Sequence, residues 1–141
     1  MGIQTSAEKR RFSRLRQSLR GLTGQLSQLI EPFYLSSPVI KGSVYELKRR
    51  CGKPGCKCAR GELHSRMVVS ASEKGKTKLR VIPTGSLVDV QVKVRRYQDL
   101  RRARVQIVEA HKKMLQLLDQ MEAMRREQTR EPENKQEDRR H

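Results

Sequence analysis

Residues 43–82 read SVYELKRRCGKPGCKCARGELHSRMVVSASEKGKTKLRVI. Three runs within this stretch, Ser43 to Arg50, Ser65 to Ser72 and Lys76 to Ile82, are short and contain β-branched residues. A cysteine-rich loop and the turn Glu73-Lys74-Gly75 separate them. That punctuation predicts a three-stranded antiparallel sheet. Alternation then sorts its faces, with Tyr45, Leu47, Met67, Val69, Ala71, Thr77, Leu79 and Val81 inward. Glu46, Lys48, Arg50, Lys76, Lys78 and Arg80 are expected to point outward.

Long helices are expected on both sides of the sheet in the chain. Phe12, Leu15, Leu19, Leu22, Leu26 and Leu29 recur at alternating spacings of three and four, which lays one apolar stripe along a helix ending near Pro32. Gly21 and Gly24 inside it predict a close backbone approach or a bend. After Pro83-Thr84-Gly85-Ser86 the same rhythm returns at Leu100, Ala103, Ile107, Ala110, Met114, Leu117, Met121 and Met124. Val94, Tyr97, Val105, Val108, Leu115 and Leu118 form a second stripe, which predicts that this helix packs on more than one neighbour and makes a homodimer through the helices reasonable. The predicted fold class is α+β: a helix (1–32), a connecting loop (33–42), the sheet with its Cys/His loop (43–85), a second helix (86–124) and a disordered charged tail (125–141).

At 141 residues the chain is about one domain long. Its 32 lysines and arginines against 15 acidic residues give a formal charge of +17, so large an excess that a polyanion is the first partner to consider. No apolar run approaches the roughly 20 residues needed to cross a bilayer. Three cysteines cannot all pair within one chain, and the N-terminus lacks a signal peptide's apolar segment. A reducing, cytoplasmic setting is therefore expected, nucleoid-associated if DNA is the ligand. Met1-Gly2-Ile3-Gln4-Thr5-Ser6 fits the loose N-myristoylation template, but Thr5 and Ser6 are also ordinary helix N-cap residues, the reading preferred here.

All three cysteines lie in the loop, spaced Cys51-x4-Cys56-x-Cys58-x5-His64. Four soft or borderline ligands are what a tetrahedral structural zinc requires, and Gly52, Pro54 and Gly55 supply the tight turns that let them converge. The competing readings are small buried thiols or reactive surface thiols among cations. Within 41–66 stand eight basic residues and two acidic ones, so a folded loop there would present a phosphate-binding surface. The candidate nucleic-acid contacts are Lys48, Arg49, Arg50, Lys53, Lys57, Arg60 and Arg66, the strand residues Lys76, Lys78 and Arg80, and Arg95 and Arg96 on the second helix. Few aromatics are available as stacking platforms, which favours duplex DNA, or RNA held by its backbone.

The run GSVYELKRRCGKPGCKCARGELH, followed by a strand, a GKT-containing turn, a strand ending in proline and a long helix, resembles a family of short bacterial proteins of unknown function. Genes of that family are often met near transposases and other mobile elements. The resemblance covers roughly residues 42–121, although Ser65-Arg66-Met67 stands where members usually have Gly-Pro-Tyr. It implies a neighbourhood, namely an accessory to a transposase or recombinase, and no activity. No P-loop, nucleophile elbow or His-Glu-x-x-His occurs, so the chain is expected not to be an enzyme. The expected function is a small zinc-stabilised DNA-binding protein. The alternative is a helical protein-interaction module that binds RNA or a ribonucleoprotein.

Overall fold

The computed structural model describes residues 2–56 and 61–127. In chain order they form α1 (Ser6–Ile30), a 3-10 turn (Glu31–Tyr34), β1 (Ser43–Arg49), β2 (His64–Glu73), β3 (Lys76–Val81), a second 3-10 turn (Thr84–Ser86) and α2 (Leu87–Arg125). The fold is α+β, two helices and a three-stranded antiparallel sheet of order β1-β2-β3. Contacts divide the chain into two units. One is residues 1–28 with 107–141, and the other is residues 29–106. The expected tail lies outside the described residues from position 128 onward.

In the helical unit, Thr5 caps α1. Its Oγ1 accepts the Glu8 amide at 3.1 Å, while Glu8 Oε2 accepts the amides of Gln4 (2.8 Å) and Thr5 (3.1 Å). This reciprocal box satisfies donors that the first turn leaves over. The hydrogen bonds from the Gln4 and Thr5 amides hold the Glu8 carboxyl below its usual value. The stripe of α1 faces the C-terminal part of α2, antiparallel to it. Phe12 lies with Leu118 and Met121, and further along Leu22 lies with Leu117. Phe12 is buried, and the Arg16 guanidinium sits 4.6 Å from its ring centroid. The backbone at Gly2 runs so close to the end of α2 that a Cβ there would meet Arg125 backbone atoms at 2.8 Å.

Two expectations about the helices change. A Cβ added to Gly21 or Gly24 would meet nothing within 4 Å, and α1 runs unbroken through both, so neither marks a close approach among the described residues. Each glycine only carries helix-propensity cost. Gly21→Ala and Gly24→Ala are each expected to raise stability by about 0.5–1 kcal/mol, read as a higher denaturant midpoint at unchanged slope. A lower midpoint for either would mean that the position touches something in solution. The second stripe of α2 also behaves differently from expectation: Val94 is buried, but Val105, Val108, Leu115 and Leu118 are exposed.

In the sheet unit, the turn between β2 and β3 has Lys74 at φ 50° and Gly75 at φ 78°. Two successive positive φ values are what a two-residue hairpin needs to match the twist of its strands. Central β2 pairs Tyr45 with Val68 on one side and Val68 with Val81 on the other. Among the described residues Val68 is the most buried, 1% exposed.

This register corrects the expected faces. Tyr45, Leu47, Leu79 and Val81 do share a face, but with Val68, Arg66 and His64 of β2. Met67, Val69 and Ala71 lie on the opposite face, with Glu46, Lys48, Lys76, Lys78 and Arg80. On that second face Val69, Ala71 and Ile82 border a cavity together with Ile40 and with Val90 of α2. The extended segment before β1 is tied to α2 by two bonds: the Ile40 amide donates to the Lys93 carbonyl (3.2 Å), and Arg96 Nη1 donates to the Pro38 carbonyl (3.3 Å).

Candidate metal centre and cationic cleft

The site is built where β1 ends and β2 begins. Pro54 and Gly55 form a turn closed by the Cys56 amide donating to the Lys53 carbonyl at 3.3 Å, with Gly55 at φ 88°. Proline followed by glycine at positive φ is the pattern of a type II turn. Gly52 (φ 74°) and Gly61 (φ 104°) bend the chain on either side of it. These bends return the chain toward the sheet, so that Cys56 meets His64, the first residue of β2, which is paired with Arg49.

Cys56 Sγ lies 3.0 Å from His64 Nε2. The ligand atoms of Cys51, Cys56 and His64 all lie within 4.8 Å of one another. In a tetrahedral zinc site, bonds of about 2.0–2.3 Å put the donor atoms about 3.5 Å apart, so small side-chain adjustments would place an ion among these three. They lie close enough to hold a metal ion, and two sulfurs with one imidazole suit a borderline-soft one. Cys58, the fourth expected ligand, lies outside the described residues, as do Lys57 and Arg60.

Cys51, Cys56 and His64 themselves form one wall of a cleft of about 560 Å³ on the same sheet face. Arg49, Arg50, Lys53 and Arg66 line it, with no carboxylate among the lining residues. Leu47 and Val81 supply aliphatic surface over the buried Val68. The structure therefore gathers four of the candidate cationic contacts and sets others elsewhere. Lys48, Lys76, Lys78 and Arg80 are on the opposite face. There Lys78 Nζ pairs with Glu73 Oε2 at 3.0 Å, and the Lys78 hydrogen bond and charge lower the Glu73 pKa. Arg95 is exposed on α2, whereas Arg96 serves the Pro38 carbonyl. Leu47, Val68 and Val81 were not legible as site residues, because only the cross-strand register brings them beside the cysteines.

Residues 12–92 match a domain of unknown function, DUF6788. The chain belongs to the DUF6788 family. The matched DUF6788 region contains the whole sheet, the candidate metal ligands Cys51, Cys56 and His64, and every lining residue of the cleft. No curated protein and no solved structure matches the chain. Among the described residues no helix is long and apolar enough to cross a membrane.

Proposed function

We propose that this DUF6788 protein is a non-enzymatic nucleic-acid-binding protein whose Cys/His loop is braced by a structural zinc, with duplex DNA the favoured ligand. Zinc is the ion proposed because Cys51, Cys56 and His64, completed by Cys58, make a closed set of four that needs no water and offers no open coordination position. The observation carrying the reading is the cleft walled on one side by that cluster: four cations, Arg49, Arg50, Lys53 and Arg66, and no acid among its lining residues. Clustered cations without local acids gain by displacing the counterions condensed on a polyphosphate. The formal charge of +17 supports the same partner class. A cytoplasmic, nucleoid-associated setting and a supporting role beside a transposase or recombinase complete the proposal. The latter rests only on the resemblance of the cysteine block.

A second reading draws on α2. Val108, Leu115 and Leu118 leave an apolar row exposed, which suits a helical module docking on another copy of itself or on a ribonucleoprotein.

The deciding experiment is fluorescence anisotropy of the full chain on a short duplex across a salt series. With at least four phosphate contacts, log K should fall with log[salt] at a slope of about −3.6 or steeper. Lys53→Ala with Arg66→Ala should make the slope shallower by about 2 and weaken binding about 10–100-fold, at an unchanged melting profile. Absence of duplex binding at moderate salt would overturn the DNA reading. Tighter binding to structured RNA, or assembly through α2 on its own, would favour the second.

A further inference from the structure

We infer that the cleft walled on one side by the Cys/His cluster seats one unpaired nucleotide of a nucleic-acid strand, its phosphate on the cationic rim and its base against the aliphatic floor. This rests on the nucleic-acid reading above and specifies which part of the polymer enters. The rim, Arg49, Arg50, Lys53 and Arg66, is what a phosphate seeks. The floor is different. Leu47 and Val81 are aliphatic and cover the buried Val68, and Val81 is 57% exposed although it is the cross-strand partner of Val68.

A duplex presents this floor with nothing apolar to cover it. Its backbone is charged, its base faces are stacked on one another, and only polar base edges and thymine methyl groups reach the major groove. A duplex laid across the rim would satisfy the arginines and leave the aliphatic surface wet. An unpaired nucleotide has both parts: a charged phosphate, and a flat base whose faces have lost their stacking partners. The volume of about 560 Å³ falls within the range of about 300–1,000 Å³ typical of small-molecule sites, so one nucleotide enters and a base pair with its flanking stack does not. Because the floor is aliphatic, its contact with a base depends little on base identity. The polar groups around it are chiefly donors, which interact with phosphate oxygens.

The inference predicts that DNA ends and junctions with unpaired nucleotides bind more tightly than continuous duplex. The test compares the full chain on a blunt hairpin duplex, on the same duplex with a two-nucleotide overhang, and on one whose overhang nucleotides are abasic. The overhang should bind about tenfold more tightly than the blunt duplex, and the abasic overhang should lose most of that advantage. In Val81→Gln, an exposed position on an edge strand, the overhang-to-blunt ratio should fall to within about twofold. Equal affinity for blunt and overhanging duplexes in the unsubstituted chain would overturn the nucleotide cleft and leave the nucleic-acid reading standing. An advantage that survives removal of the bases would also overturn it, by assigning the gain to phosphates alone. Failure to bind any of the three would remove both.

Discussion

Cys56→Ser is expected to strip the chain of its metal. Elemental analysis of protein purified under reducing conditions without chelators should give about one zinc per chain before the substitution and almost none after it. The turn at Pro54 and Gly55 aims Cys56, and His64 stands 3.0 Å from its Sγ at the start of β2. The described residues of the loop from Arg50 to Gly55 are exposed, and the backbone hydrogen bond from Cys56 to Lys53 closes the turn itself. Metal binding by a site that forms only in the folded chain adds its free energy to folding. Loss of the ion should therefore lower the melting temperature by on the order of 10 °C or more, and a strong chelator should reproduce that loss in the unsubstituted chain. Metal-free protein that melts at the same temperature with and without added zinc would sink the structural role and return the cysteines to packing or thiol chemistry.

Gly42→Ala should be nearly as damaging, for a purely steric reason. Gly42 has φ 146°, in a region that side chains rarely adopt, and a Cβ there would lie 2.6 Å from the Ser70 carbonyl oxygen and 3.0 Å from Val69 Cγ2. Ser70 cannot yield easily, because in the central strand it is paired with Ser43 on one side and Leu79 on the other. Backbone strain and overpacking together cost about 3 kcal/mol, a large share of the roughly 5–15 kcal/mol that holds a domain of this size together. The urea midpoint should fall by about 1 M or more, while Gly85→Ala, which meets nothing within 4 Å and needs no special φ, stays close to the parent. Equal midpoints for the two variants would show that β1 can enter the sheet by another path.

The helices and strands were legible because each is bounded by its own punctuation: Thr5 with Glu8 at the start of α1, Lys74-Gly75 between β2 and β3, and Pro83 before α2. The faces of the sheet were not. Met67, Val68 and Val69 are three apolar residues in succession, so alternation fits either choice, and a one-residue slip moves every side chain of the strand to the other face. The polar residues of β2 point the wrong way: Arg66, Ser70 and Ser72 share the face of the buried Val68, so setting them outward sets Val68 outward with them. Spacing alone brought Cys51, Cys56 and His64 together as candidate ligands. Which cations would stand beside them depended on the register of β1 and β2, and no local signal encodes that register. Arg96 could not have been separated from Arg95 by sequence, because its partner, the Pro38 carbonyl, belongs to a segment far away in the chain.

β3 has an open rim: every one of its residues is exposed, and among the described residues nothing pairs beyond it. An unpaired strand of this kind is a template on which a second molecule could add its own strand and start edge-to-edge growth. Lys76, Lys78 and Arg80, placed at alternate positions along that rim, oppose such growth. Two β3 strands brought side by side would set like charges a few ångströms apart, a repulsion on the order of 1 kcal/mol per pair even in water. With Lys78 paired to Glu73, Lys76 and Arg80 would carry most of that repulsion between two β3 edges.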